Sequence, residues 1–409
     1  MKNFFLIVFL FMAVFLGFSQ NVASSPYAVF GLGSLYDADF GITPAIGGSG
    51  MALPSDFFIN NKNPASLAFI NKNSFFFEVG GTGILSNYQN AARKESSSNI
   101  QFSHLAFAFP VTSKSGASVL LMPYSSAGYE IRNIRFPIAN SAESYSLDAN
   151  SSGGLNNLEV AYGYKIGKKM TLGANASLLF GNIVDNKTYS ISNAKMTINR
   201  DSYYTGLRFT IGNQYQIDST LTVAARIKLP TQIHSGKVQS VVNLSDTGTT
   251  ILESEAASEA EDYYLPFEIG VGFSKKIHNQ LNLTFDYDKS LWNSVNQSGL
   301  YGSYTNQDRF AAGISYEKKG VSRFSKKIRF SGGVNYDTGF LKIGDDKVNN
   351  ISVSAGIGFP IEQTRSYFNI SYSYGQQGRI SSELIKESYH KIGLNLSLEG
   401  LWFVKRRFD

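Results

Sequence analysis

Side chains able to carry chemistry are few and scattered in this chain. Its four histidines, His104, His234, His278 and His390, fall on separate segments, without the spacing that closes a metal site. Cysteine is absent, which removes disulfides and a lipid-modified N-terminal Cys. Ser103 and His104 are neighbours, and successive side chains on a strand point to opposite faces, so this pair is not expected to meet. Gly48-x-Gly50-x-Ala52 has the faint outline of a dinucleotide turn but lacks the strand–turn–helix context. No Ser/His/acid set can be placed, so the expectation is a protein that is not an enzyme and holds no cofactor or metal. The net charge of +6 is spread out, without an aromatic-interleaved basic patch, and does not suggest nucleic acid. The basic tail Lys405-Arg406-Arg407 is read as solvated.

The positioning elements must therefore explain the chain. The clearest stretch runs from Tyr263 to Trp292. Leu265, Phe267, Ile269, Val271 and Phe273 alternate with Glu268, Gly270, Gly272 and Ser274. After the polar turn Ile277-His278-Asn279-Gln280, Leu281, Leu283, Phe285 and Tyr287 share one face, with Asn282, Thr284, Asp286 and Asp288 on the other. Period two with a short turn predicts an antiparallel hairpin. Each strand is long enough to cross a bilayer when tilted, which takes ~9–11 residues.

The pattern repeats. Strand-like spans fall at 74–85, 100–110, 116–131, 155–166, 170–184, 201–216, 221–236, 263–276, 281–294, 307–317, 327–340, 351–361, 367–376 and 387–399, fourteen in all. The spans 74–85 and 100–110 are the noisiest. Connections such as Gly167-Lys168-Lys169 and Ile217 to Thr220 are short, with the basic stretch Lys318 to Lys326 as the exception. The other set, 86–99, 132–154, 185–200, 237–262, 295–306, 341–350 and 377–386, reads as longer loops. Within it, 132–154 is rich in Ser, Asn and Ala. The acidic run with Leu252, Glu253, Glu255, Glu259, Glu261 and Asp262 reads as a solvated, potentially helical face. Alternating short and long connections and an even strand count predict an all-β, fourteen-stranded antiparallel transmembrane barrel in an outer membrane, with both termini periplasmic. A soluble β-sandwich also alternates, but long strands and the aromatic-rich end (Leu398, Leu401, Trp402, Phe403, Phe408) weigh against it. Composition agrees: 31 Phe, 23 Tyr and 38 Gly with only 17% charged residues favour β structure.

The N-terminus divides further. Met1-Lys2-Asn3, about fifteen apolar residues from Phe4 to Phe18, then Ser19-Gln20-Asn21 read as a secretory signal peptide over 1–20. Residues 21–72 are Gly-rich, keep no period of two, and read as loops with one or two short helices. A barrel of ~8 strands fills its own bore and one of ~16–18 leaves a channel. A fourteen-stranded bore would leak, and 21–72 is the available plug for a barrel spanning 73–409.

Four patterns carry a resemblance to the FadL-like outer-membrane transport proteins. They are Gly47-Gly48-Ser49-Gly50-Met51-Ala52 with Asn63-Pro64-Ala65-Ser66-Leu67; Phe107 to Val111 leading into Leu121 to Tyr129; Leu265-Pro266 with Gly270, Gly272, Asp286-Tyr287 and Trp292; and Arg329 to Asp337 with Ser354 to Gly358. They span about 44–376, and the ending, Ile357 to Pro360 through Leu401 to Arg407, resembles a branch common in Bacteroidota. The resemblance implies a fourteen-stranded barrel with an internal N-terminal hatch, here Gly48, Gly50, Asn63, Pro64 and Ala65. It also implies uptake of hydrophobic small molecules, fatty-acid-like or aromatic, with lateral release where strand 3 kinks. Pro123 sits in strand 3, followed by Tyr124, Ser125, Ser126, Ala127 and Gly128, and proline marks edges or bulges. A local wall opening is expected there. Phe57, Phe58, Leu67 and Phe69 are the expected apolar ligand pocket.

The polar long connections depart from the apolar capture groove of transporting members. A second reading follows from the resemblance: a non-catalytic barrel partner of a protein-export or envelope complex, like the shuttle subunit of the type 9 secretion system. The expected partners are outer-membrane lipid and lipopolysaccharide, with a hydrophobic ligand in the first case or an envelope protein complex in the second. A general diffusion porin is disfavoured, because a hatch would obstruct it.

Overall fold

A computed structural model describes residues 25–401, apart from 38, 142, 193, 246–247, 296–301, 319–327, 362–365 and 382. The expected signal peptide and the tail from Trp402 to Asp409 lie outside the described residues. The wall is a closed antiparallel barrel. Its staves are β1 Ser74–Gln89, β2 Lys94–Thr112, and β3 as Ser115–Pro123 continued by Tyr129–Pro137. Then come β4 Ser144–Ile166, β5 Met170–Ile191, β6 Ala194–Gln216, and β7 as Leu221–Lys228 continued by Thr231–Ser245. β8 is made of Gly248–Glu259, Tyr263–Leu265 and Glu268–Ile277. β9 Leu281–Ser290, β10 Gln307–Glu317, β11 Arg329–Asp337, β12 Asn350–Ile361, β13 Ser366–Gln377 and β14 Lys386–Leu401 complete the fourteen. Pairing of β1 with β14, from Ser74↔Leu401 to Gln89↔Lys386, closes the ring.

The barrel is polar inside and apolar outside. Leu158, Val160, Tyr162, Leu207, Phe209, Ile211, Val271 and Phe273 are exposed on the outer face, while Glu159, Asn175, Arg208, Thr210, Gln214, Ser274 and Asp286 are buried. That inversion is what a lipid solvent outside and a polar lumen inside demand.

The strands extend well past the apolar alternation. Expected loops 86–99, 132–154, 185–200 and 237–262 are largely hairpin: β4 and β5 stay paired from Ile166↔Met170 to Ser146↔Ser190, and β5 and β6 to Ile191↔Ala194. The acidic run is strand, not helix, since Gly248–Glu259 pairs with Thr231–Ser245. The physical reason is solvent. Above the lipid both faces are wet, so no alternation is required even where β-formers keep the ladder going.

Residues 25–70 contribute three short 3-10 helices, Pro26–Val29, Thr43–Ile46 and Pro64–Phe69. Each carries Pro in its first turn, where the missing N–H costs nothing. Asn63 caps the third, its side chain accepting from the Ala65 N–H at 3.0 Å. Apolar clusters form between this segment and the wall: Phe40, Ile59, Leu67 and Ile70 pack with Phe76, Ala106 and Leu120. Ser25 donates to Glu387 near the start of β14, and residue 73 leads into β1 at the opposite end. The described chain thus begins at the hairpin end of the wall and ends, at Leu401, at the other.

Candidate functional site

Residues 39–66 are bound to inward-facing groups on many staves. Met51 N–H donates to Asp286 Oδ2 (2.9 Å), and Gln214 Nε2 donates to the carbonyls of Met51 (2.9 Å) and Leu53 (3.1 Å). Ser49 and Thr284 hydroxyls meet at 2.6 Å. The Ile59 N–H donates to Glu78 (2.6 Å), and Arg226 donates to the Lys62 carbonyl (2.8 Å). Buried amides and carbonyls left unpaired would each cost about 1–3 kcal/mol, so these partners fix the backbone. The segment also approaches the wall where side chains are missing. A Cβ on Gly173 would strike Ala65 N and the Pro64 carbonyl carbon, and one on Gly333 would strike Gly47 N.

The expected hatch residues all sit in this seam. Gly48 lies beside Asp39 and Arg309 at φ +75, a left-handed conformation that suits glycine. The Gly50 carbonyl accepts from Asn60 (2.9 Å), and Asn63 Nδ2 donates to the Asn213 carbonyl (2.9 Å). Pro64 and Ala65 are buried against β4 to β6. Nearby, Asp39 pairs with Lys62 and with Arg309 (3.1 Å), and Arg309 also reaches Asp37 (2.6 Å). Burial alone would raise the Asp39 carboxyl, but Lys62 and Arg309 pull it down to about 2.

Of the four expected pocket residues, Phe57 and Phe58 are brought together, with ring centroids 4.8 Å apart, while Leu67 and Phe69 lie in other surroundings. Phe58 packs with Ile42, Ile46 and Leu53, and Leu67 with Phe40 and Phe76. Phe57 lies under the Arg329 guanidinium at 4.0 Å, and Lys165 lies over Phe69 at 5.5 Å. Phe57, Leu67 and Phe69 thus contact the wall, and Phe58 packs within the segment. Among the described residues, two cavities of about 200 and 310 Å³ lie beside this segment. The first is lined largely by hydroxyls and amides, among them Ser97, Asn99, Gln101, Ser352, Asn369 and Ser371. The second has a charged wall, where Arg208 (3.0 Å) and Lys228 (3.0 Å) meet Glu268, and Arg226 meets Asp288 (2.6 Å). Its remaining lining includes Phe30, Leu35, Phe340 and Leu341. These lumen charges escaped the search for chemistry. Their signal was present, since a charge such as Arg208 between Leu207 and Phe209 must face inward at lipid height.

The expected opening coincides with an interruption in pairing. After Pro123 the chain leaves the ladder, and Ser125–Ser126 pair instead with Leu35 and Ser34 of the N-terminal segment. The Tyr36 N–H donates to the Tyr124 carbonyl (2.9 Å), and its hydroxyl donates to Gln101 (2.7 Å). The Ala127 N–H donates to the Gly153 carbonyl (3.0 Å); Gly128 follows and β3 resumes at Tyr129. β2 pairs with β3 only over Leu105 to Thr112, and the upper part of β3 pairs only with β4. Among the described residues, the edges at 94–104 and 129–137 have no strand between them.

Ser103 and His104 do meet, contrary to expectation: His104 Nδ1 and Ser103 Oγ are 3.1 Å apart. A β-bulge opposite Gly80 and Gly81 is the reason, because an extra residue breaks strict alternation. No carboxylate completes a triad with them in the hydrogen bonds of His104, whose Nε2 meets Asn395 at 3.0 Å. His234 lies 3.3 Å from Asp262, His390 meets the Tyr372 hydroxyl at 2.8 Å, and His278 occupies a turn.

A closed fourteen-stranded antiparallel barrel with a polar interior and an apolar outer band defines an outer-membrane type of fold, FadL-like in its architecture. The family described as BamG matches residues 1–409, and the chain belongs to that family. Solved structures share the fold at low identity. The toluene transporter TodX of P. putida has a TM-score of 0.68 at 14% identity, covering 90% of this chain and 100% of its own. The toluene transporter TbuX of Ralstonia pickettii gives 0.60 at 14%, covering 88% and 98%. A FadL homologue of Pseudomonas aeruginosa gives 0.59 at 12%, covering 88% and 98%. No curated protein matches the sequence.

Proposed function

We propose that this protein is a plugged, non-catalytic barrel that serves as a partner in an outer-membrane protein complex. The observation that carries this reading is the seam around residues 39–66, where backbone amides and carbonyls are held by Asp286, Gln214, Glu78 and Arg226 of the wall. Residues 21–72 act as the plug, 73–409 form the barrel, and the short-turn end faces the periplasm. A bore lined by hydroxyls, amides and ion pairs is a poor solvent for a hydrocarbon, because desolvating those groups without new partners is unfavourable. The tall hairpins of β3 to β8 supply surface for protein contact.

A second reading has its own support. The unpaired edges beside Pro123 suit a hydrophobic-compound channel with lateral release, with Tyr124, Ser125, Ser126 and Gly128 at the exit and Tyr36 as the gate. Native mass spectrometry of the protein extracted from its own membrane in mild detergent separates the two. A stable protein assembly with no small apolar ligand is expected; a lone barrel carrying a hydrocarbon or fatty acid would favour the channel.

A further inference from the structure

The larger of the two cavities is lined by both the N-terminal segment and the wall, and its charges nearly all have partners. Among the described residues its lining holds five cations and five carboxylates. Arg208 and Lys228 share Glu268, Arg226 meets Asp288, Arg309 meets Asp37, and Lys62 meets Asp39. Asp337 accepts from Gln307 (2.7 Å) and from the Gly339 N–H (2.7 Å). Glu159 is the exception. It is buried on β4 and accepts from the Ser177 hydroxyl at 3.3 Å, and no cation among the described residues stands within ion-pair distance of it.

Two amide oxygens beside Glu159 are also unspent. Asn157 precedes it by two residues on β4, so the two side chains share the lumen face. Asn175, on β5, is 7% exposed, and it gives its amide N–H to Glu159. The Oδ1 atoms of Asn157 and Asn175 are buried and accept no hydrogen bond from the protein, and both residues line the cavity. A buried acceptor without a donor is destabilising, so this corner is made to receive N–H groups. Positive charge is unspent nearby. Lys228 of β7 pairs with Thr210 of β6, and Thr210 with Asn175. Strands lie about 4.8 Å apart, which puts Lys228 about 10 Å from Asn175 before its side chain reaches inward. An ammonium carries three donors, and that of Lys228 meets a single carboxylate, Glu268 (3.0 Å), which Arg208 shares (3.0 Å).

We propose that this cavity binds a small zwitterion of dipeptide size, its ammonium at Glu159, Asn157 and Asn175 and its carboxylate at Lys228. The charge balance selects a zwitterion. A lone cation would meet the three acceptors but leave a net charge in a buried, otherwise balanced site, and that is costly. A lone anion would bring no donor to the asparagine oxygens. Length agrees, since two extended residues span at most about 7 Å, close to what remains of the gap once the lysine side chain reaches in. Leu35, Phe340 and Leu341 in the same lining offer contact to an apolar side chain. Asn61 and Lys62 line it as well, so the ligand would lie between the segment and the wall. The site goes beyond the partner reading and does not depend on it.

The test is equilibrium dialysis of the full chain in detergent micelles against glycyl-leucine, its C-terminal amide and its N-acetyl form. Glycyl-leucine should bind at one site per chain. The amide, which lacks the carboxylate, and the acetyl form, which lacks the ammonium, should each bind at least tenfold more weakly, as the loss of a charge-assisted hydrogen bond requires. Glu159→Gln keeps the shape of the side chain and should weaken glycyl-leucine at least tenfold. Lys228→Met should do the same to glycyl-leucine and leave the weak binding of the amide unchanged, a split that general loss of folding would not produce. No binding of glycyl-leucine, equal binding of the three compounds, or full binding by Glu159→Gln would overturn the proposal. The native assembly is measured separately, so failure here leaves the partner reading standing.

Discussion

β5 runs from Met170 to Ile191 and β6 from Ala194 to Gln216, whereas β9 stops at Ser290 and β11 at Asp337. On the tall side, outward apolar residues end near Leu158, Phe180 and Leu207, and the strands continue above them. On the short side the strands hardly outlast the apolar band, and the Trp292, Tyr304 and Phe340 rings pack on one another, Trp292 stacked on Phe340. The difference teaches that one ladder serves two solvents. Within lipid, alternation is enforced and the lumen holds the charges. Above lipid, the same strands are free to carry surface chemistry.

The largest expected effect lies in the lumen. Arg226→Met leaves Asp288 without its ion pair and the Lys62 carbonyl without its donor, and should destabilise the barrel by about 3–5 kcal/mol in denaturant unfolding. Next is the lipid band, where Phe209→Lys should cost about 2–4 kcal/mol. If Phe209→Lys were as benign as a change on the tall hairpins, the division between the two zones would fail.

Acid sharpens the same contrast inside the bore. The Asp39 carboxyl sits lower in the folded chain, at about 2, than its ordinary 3.8. Its stabilising share is therefore complete above 3.8 and lost as pH falls toward 2. Pepsin cleavage within 39–62 should rise across that window and stay flat above it. A smaller loss, about 1–3 kcal/mol, is expected for Gly173→Val, which crowds Pro64 and Ala65, against no change for Gly83→Ala, which meets open space. At the bottom of the scale, Ile251→Lys should shift stability by no more than about 0.5 kcal/mol, because its side chain is exposed and touches water.

How much of this was legible depends on the solvent each stretch meets. Leu158 to Ile166 and Met170 to Phe180 announced their strands, because one face lies in lipid and the other in a polar lumen. Residues 132–154 and 237–262 read as loops because both faces are wet and the period disappears. Gly48, Gly50 and Asn63 stood out by type, and each has a specific contact in the seam. Phe57, Phe58, Leu67 and Phe69 looked like a pocket only because apolar character does not say which of several clusters a side chain joins. The meeting of Ser103 with His104 was hidden by a bulge, which shifts register without a residue that marks it. Asp286 and Asp288 were legible on the polar face of their strand, but the link of Asp286 to Met51 and of Asp288, through Arg226, to Lys62 is a tertiary fact that spacing does not encode.

The proposal that residues 39–66 act as a static plug can be tested at one contact. Ser49 and Thr284 hydroxyls lie 2.6 Å apart, and the chain has no cysteine of its own. Ser49→Cys with Thr284→Cys should therefore form a disulfide that ties residues 39–66 to β9. The measurement is complementation of a strain lacking the protein, with the double variant oxidised and then reduced. The account predicts equal rescue in both states and an unchanged native assembly. Rescue that vanishes on oxidation and returns with reductant would show that the plug must move, and would contradict the account.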